Sequence, residues 1–178
     1  MAQFSSARVV IVMGVSGCGK TEVGTRLAAR LGGDFFDADG FHPPENIAKM
    51  SAGEPLTDAD RAPWFDRMER EVIAPCPPGA VRVLACSALK KRYRDRLRAA
   101  LPWPGVMRFV HLEGAYELIF SRMSARHDHF MREDMLRSQF AALEPPRPEE
   151  EPDVLALSIE PSVEVIAETA AAWLAGGG

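Results

Sequence analysis

Eight consecutive residues, Gly14-Val15-Ser16-Gly17-Cys18-Gly19-Lys20-Thr21, constrain this chain more than any other feature of its sequence. They match G-x-x-x-x-G-K-[ST] in full. Glycines in such a run let the backbone curl so that successive N–H groups point inward at phosphate oxygens, in conformations a Cβ would forbid. A helix starting at the end of the run adds its positive dipole end to the same anion site. Lys20 then reaches the β- and γ-phosphates of a nucleotide, and the Thr21 hydroxyl is a ligand for Mg²⁺. All eight residues, Gly14, Val15, Ser16, Gly17, Cys18, Gly19, Lys20 and Thr21, are expected to bind nucleotide. Cys18 lies near a helix start, where a thiol pKa can fall. The simpler reading, a small filler residue that faces away from the ligand, is preferred.

The surroundings of the loop agree with this. Val9 to Met13 reads as a buried strand, and a helical pattern follows from Lys20 to Leu31. Further β-type runs lie at Asp34 to Asp37, Val81 to Cys86, Val106 to Leu112 and Val154 to Ile159. Helical patterns lie between and after them: Asp58 to Ala74, Leu89 to Leu101, Tyr116 to Arg126 and Val163 to Leu174. Strands alternating with helices predict βαβ units, an α/β domain with a parallel sheet. Pro63 is compatible with its helix only near the first turn. Glu144 to Pro152, rich in Pro and Glu, reads as a loop.

A chain of 178 residues fits one domain. Hydrophobic residues make up 47% and charged residues 26%, an ordinary globular composition. The formal net charge of −4 gives no global positive field for nucleic acid or an anionic membrane. Cys18, Cys76 and Cys86 are too few, and wrongly spaced, for a disulfide framework or a zinc site. The start, MAQFSSAR, lacks the basic region of a secretory leader, and no apolar run approaches the roughly 20 residues of a membrane helix. The expected location is the cytoplasm.

Among phosphate-loop proteins, a switch GTPase is not expected, because the single asparagine, Asn46, precedes Ile47 and cannot form the guanine-binding Asn-Lys-x-Asp. The third strand ends in Leu84-Ala85-Cys86-Ser87 with no acidic residue to hold a metal. Asp37 and Asp39, at the end of the second strand, are the carboxylates available to help Thr21 with Mg²⁺, since carboxyl ends of parallel strands face the ligand crevice. Asp37 serves equally well as a cap for the turn.

The loop GVSGCGKT is followed by Asp37-Ala38-Asp39-Gly40-Phe41-His42-Pro43, Asn46-Ile47-Ala48-Lys49-Met50 and Gly53 to Trp64. Later come Cys86-Ser87-Ala88-Leu89-Lys90-Lys91-Arg92-Tyr93-Arg94-Asp95, Ser121-Arg122 to Arg126, His129-Phe130 and Ser138-Gln139-Phe140. In this order and spacing the chain resembles the gluconate kinase family over nearly its whole length. The resemblance implies a P-loop nucleoside-kinase-like three-layer fold, a five-stranded parallel sheet with helices on both faces, in a single kinase domain, 1–178. A mobile lid is expected at roughly 122–135. It further implies ATP-dependent phosphorylation of D-gluconate to 6-phosphogluconate, with ATP and Mg²⁺ required, in a homodimer. A related kinase acting on another hydroxy acid, such as shikimate, is the alternative. Asp128 stands where the family commonly has Gly, a departure that bears on the lid.

Phosphoryl transfer to an alcohol needs positioning, charge neutralisation and a destination for the hydroxyl proton. Asp39 suits the last role, or the metal, and sequence does not separate the two. The resemblance places His42 beside it as a polyol contact and adds Lys49 and Ser87 to the substrate site. Arg61 is placed to meet a substrate carboxylate; a cation at a helix start is otherwise unfavourable. An ion pair with Asp58 or Asp60 is the plainer role. Within the basic run Lys90 to Arg98, Lys90 and Arg94 are four residues apart and are expected to face the crevice together. The rest are read as a solvated face, not a nucleic-acid site. Arg122 and Arg126 are expected to stabilise charge on the transferring group while water is excluded.

Overall fold

The computed structural model describes residues 6–125 and 133–176. Five strands form one sheet in the order β2-β3-β1-β4-β5, every neighbouring pair parallel. They are β1 (Arg8–Met13), β2 (Asp34–Asp37), β3 (Val81–Ala85), β4 (Val106–Glu113) and β5 (Val154–Ser158). The helices are α1 (Lys20–Leu31), α2 (Pro44–Ser51), α3 (Asp58–Met68), α4 (Lys91–Ala100), α5 (Tyr116–Ser124), α6 (Glu133–Ala142) and α7 (Val163–Ala175). The chain runs from β1 out to β2 at the sheet edge, returns to β3 between them, then crosses to β4 and β5 on the other side of β1. That reversal opens a crevice at the carboxyl ends of β1 and β3, where ligands of parallel sheets bind.

Strand residues alternate between two cores because successive side chains point to opposite faces. Val10, Val12, Val83, Val110 and Leu112 pack with Val23 and Leu27 of α1 and Ile166, Ala170 and Leu174 of α7. Val9, Ile11, Met13, Leu84 and Phe109 pack with Trp64, Phe65 and Met68 of α3 and Leu97 of α4. With both faces covered, β1 is buried from Val9 to Met13, which explains its unbroken apolar run. This is the expected α/β three-layer architecture.

Two local features bear on the site. A capping box starts α3: the Thr57 hydroxyl accepts from Asp60 N–H, and the Asp60 carboxylate accepts from Thr57 N–H. Pro63 is the sixth residue of that helix, further in than a first-turn proline, yet the helix continues into a turn of π-helix at Glu69–Ile73. The buried run Trp64, Phe65, Met68, Val72 and Ile73 holds it against the sheet.

Candidate active site

The phosphate loop joins β1 to α1 in the predicted strand–loop–helix context. Gly14, Gly17 and Gly19 all have left-handed φ, of 142°, 79° and 99°. At Gly17 the requirement is doubled: a Cβ there would lie 2.4 Å from Met123 Cγ of α5. Gly14 N–H donates to Ser87 O at 3.3 Å, tying the loop to the turn after β3. Lys20 Nζ donates to Val15 O at 2.9 Å, folding its ammonium back over the loop. The Cys18 side chain packs inward against Gly14, 3% exposed, and burial raises its thiol pKa, as a filler role requires.

Where a metal would sit, Thr21 Oγ1 donates to Asp37 Oδ2 at 2.7 Å, and Asp37 Oδ1 accepts from Asp39 N–H at 3.0 Å. Asp37 therefore does both things read from the sequence: it caps the 3₁₀ turn Ala38–Phe41 and faces Thr21. Two hard oxygens at the end of a phosphate loop fit Mg²⁺, which usually takes one or two protein carboxylates and completes its shell with phosphate and water.

Asp39 is exposed on that turn. The turn is pinned from below, where Trp64 Nε1 donates to Ala38 O at 2.6 Å. The same indole stacks on His42, ring centroids 4.4 Å apart. Burial lowers the His42 pKa against the opposing pull of Asp39, with Arg61 lowering it further, so the imidazole is neutral. Asn46 Nδ2 donates to Asp60 O at 2.8 Å and lies 3.3 Å from His42 Nδ1. An amide donor facing Nδ1 leaves the ring proton on Nε2, which makes His42 a hydrogen-bond donor.

Arg61 Nη1 donates to Leu56 O at 2.7 Å and stands 3.9 Å from Asp58, while Asp60 is taken by Lys49. Arg61, Lys90 and Arg92 surround the ring of Tyr93 at 5.8, 5.8 and 5.4 Å from its centroid. Asp58 accepts from the Tyr93 hydroxyl and from Arg92, and the Tyr93 bond leads in lowering its pKa. The result is a patch of three cations and one carboxylate, linked to His42 through Arg61 and suited to an anion.

Several expected contacts take other partners. Arg94 does not face the crevice. Its helix starts at Lys91, with Lys90 at the cap in extended backbone, so the two residues do not share a helical face. Arg94 is 1% exposed, and its guanidinium makes five hydrogen bonds: two to Glu151, two to Ala88 O and Leu89 O, and one to Glu144 O. Contrary to the expectation, Arg94 is not a substrate contact but a brace for the turn after β3, where Ala88 sits at φ 43°. Lys49 Nζ is committed to both Asp60 oxygens at 2.8 and 3.0 Å, and this bond leads in lowering the Asp60 pKa to about 2. Ser87 meets the phosphate loop through its carbonyl. Elsewhere on α4 the basic run is spent on carboxylates: Lys91 on Asp95, Arg96 on Asp66 and Glu69, Arg98 on Glu151 and Asp153. Arg122 Nη1 donates to Ile159 O at 2.9 Å. Arg126, Asp128 and half of the expected lid, residues 126–132, lie outside the described residues.

The sequence alone assigns no role to Asn46, Tyr93 or Gln139, although all three stand in segments that carry the family resemblance, and none to Glu144 or Glu151. Gln139 of α6 contacts the phosphate loop at Ser16.

A family model described as shikimate kinase matches residues 16–169. A gluconokinase of Gluconobacter oxydans is 45% identical over 166 residues, covering 90% of this chain and 88% of that protein. The chain belongs to the gluconokinase family, within the shikimate-kinase-like P-loop kinases. The thermosensitive gluconokinase of Escherichia coli is 42% identical over 89% of this chain and 82% of that protein. The crystal structure of a gluconokinase from Sinorhizobium meliloti superposes with a TM-score of 0.82 at 37% identity, covering 99% of this chain and 97% of that one. Its gluconokinase relatives match across both sides of the crevice, and not at the phosphate loop alone.

Proposed function

We propose that this gluconokinase-family chain transfers the γ-phosphoryl group of ATP to a hydroxyl of D-gluconate, giving ADP and 6-phosphogluconate. The observation that carries this reading is the acceptor wall. One exposed carboxylate, Asp39, stands beside a neutral imidazole donor and a net-positive patch, across the crevice from a phosphate loop.

Gluconate offers a carboxylate and a row of hydroxyls. Arg61 meets the carboxylate with a planar fork, supported by Lys90. His42 Nε2–H donates to a hydroxyl of the polyol. Asp39 orients the attacking hydroxyl and accepts its proton as the new O–P bond forms and the bond to ADP breaks. Lys20 swings from Val15 O to the β- and γ-phosphates and, with the loop amides, stabilises charge in the transition state. Thr21 and Asp37 would hold Mg²⁺, which when bound would supply positive charge to neutralise the phosphates. Arg122 and Arg126 bring further positive charge to the transferring group, Arg122 after leaving Ile159 O. A homodimer in the cytoplasm is proposed on the family resemblance, with light scattering as its check.

The test is ADP release in a coupled assay with ATP and Mg²⁺, with gluconate, with shikimate and without acceptor. Gluconate-dependent release is expected, reduced about 10²-fold or more in Asp39→Asn. Release driven by shikimate but not gluconate, or an unchanged rate in Asp39→Asn, would overturn the reading.

A further inference from the structure

The segment Ser138-Gln139-Phe140 belongs to the pattern that carries the family resemblance, yet the catalytic account leaves it without work. The structure brings Gln139 to the phosphate loop across 123 residues of chain. Its Oε1 accepts from Ser16 N–H at 2.6 Å, and its Nε2 donates to Ser16 Oγ at 2.9 Å. Both ends of one side-chain amide thus hold one residue of the loop, through its backbone and its side chain.

Three observations give this pair a purpose. First, the loop is anchored on its other flank by Gly14 N–H on Ser87 O, so its first half is held between the turn after β3 and α6. Second, α6 and the loop also meet one apolar core, which takes in Val15 of the loop and Leu136 and Phe140 of α6, with a half-open pocket of about 200 Å³ lined by Val15, Phe140, Leu143 and Pro145 among others. The polar pair adds direction to that packing, because its two hydrogen bonds fix one backbone N–H and one hydroxyl of the loop. Third, the chain leaving α6 is itself fastened to the acceptor side. Glu144 N–H donates to Leu89 O at 2.8 Å, and the Glu144 carboxylate accepts from Lys91 N–H at 2.7 Å.

We infer that Gln139 is a positioning residue for nucleotide binding: it fixes Ser16, and with it the curl of the phosphate loop, to the helix whose far end is tied to the acceptor wall. A loop that binds phosphate with backbone amides is only as good as its backbone geometry. Loss of the pair lets the first half of the loop wander, and the ordering it needs is then supplied from nucleotide binding energy. The inference rests on the kinase reading above.

Calorimetric titration of the full chain with ATP and Mg²⁺ tests it, alongside KM for ATP and for gluconate. Gln139→Leu should weaken ATP binding about tenfold, the scale of two neutral hydrogen bonds, and raise KM for ATP alike, with KM for gluconate within about twofold. Ser16→Ala, which removes one of the two bonds, should cost about threefold and add nothing in the Gln139→Leu background. Gln139→Glu, which still accepts from Ser16 N–H, should keep part of the affinity. Wild-type ATP affinity in Gln139→Leu, equal damage to both KM values, or fully multiplying effects of the two substitutions would overturn the inference. If Gln139→Leu fails to fold, Ser16→Ala decides alone, and unchanged affinity there overturns it. A wild-type protein that binds no ATP would sink the kinase reading and this inference together, a result distinct from all of these.

Discussion

The two walls of the crevice are made of different material. On the phosphate wall the working groups come from one continuous stretch, Gly14 to Thr21, and are mostly backbone. On the acceptor wall they are side chains from the turn after β2, from α3, and from the turn before α4. They are held by a further set: Trp64 under Ala38, Asn46 beside His42, and Arg94 under Ala88 and Leu89. A backbone site needs little more than its own glycines and one anchor on each flank. A side-chain site needs a foundation, and here the foundation is a buried ion pair.

The difference predicts that substitutions on the two walls separate stability from turnover. Glu151, 3% exposed, binds both Arg94 and Arg98. Burial pushes its carboxyl pKa up, but the hydrogen bonds and charges of those arginines prevail and hold it at about 2. Glu151→Ala strands the buried Arg94 charge and should cost about 3–5 kcal/mol of unfolding free energy in a urea titration. A loss under about 1 kcal/mol would mean the acceptor wall does not depend on this pair. Lys20→Ala should do the reverse, lowering kcat about 10²–10³-fold while the thermal midpoint stays within a few degrees. Wild-type turnover in that variant would remove the phosphate wall from the account.

A third, smaller effect probes the ground between the walls. His111 of β4 is buried near Arg94 and Glu151, and burial, then Arg94, lower its pKa to about 4. The unfolded chain binds a proton near pH 6.5 that the folded one refuses until about pH 4. Stability is therefore fully present above pH 6.5 and falls as pH drops toward 4, by up to about 3 kcal/mol. His111→Leu should flatten that part of the pH–stability curve, leaving the Glu151 contribution, which is lost between about pH 4.5 and 2. An unchanged slope between pH 6.5 and 4 would show that His111 titrates as in the unfolded chain.

How legible each wall was follows from the same contrast. The loop, the helix Lys20 to Leu31 and the strand Asp34 to Asp37 were readable to the residue, because their signals are local: glycine spacing, a helical pattern, a short apolar run. The five strands were all foreseen, within a residue or so at their ends. The helices α2 and α6 carry no clear local signal, the first being short and opened by two prolines, the second beginning inside the expected lid. Arg94 was misread for a physical reason. Two facts decide its direction: where α4 starts, two residues later than the pattern suggested, and the partner Glu151, in a proline-rich segment 57 positions away. Neither is a local property of the sequence around Arg94. Gln139 was visible as part of a motif, but its partner Ser16 became apparent only once α6 was placed.

The central claim is that amides of residues 14–21 wrap the terminal phosphates of a nucleotide while Asp39 faces the acceptor's alcohol. A crystal structure with a non-hydrolysable ATP analogue, Mg²⁺ and gluconate tests it most directly. The account predicts the phosphates within hydrogen-bonding distance of the loop amides and Lys20, the metal on Thr21, the gluconate carboxylate on Arg61, and one hydroxyl of the sugar acid on Asp39. An empty loop, or gluconate bound away from Asp39 and Arg61, would contradict it.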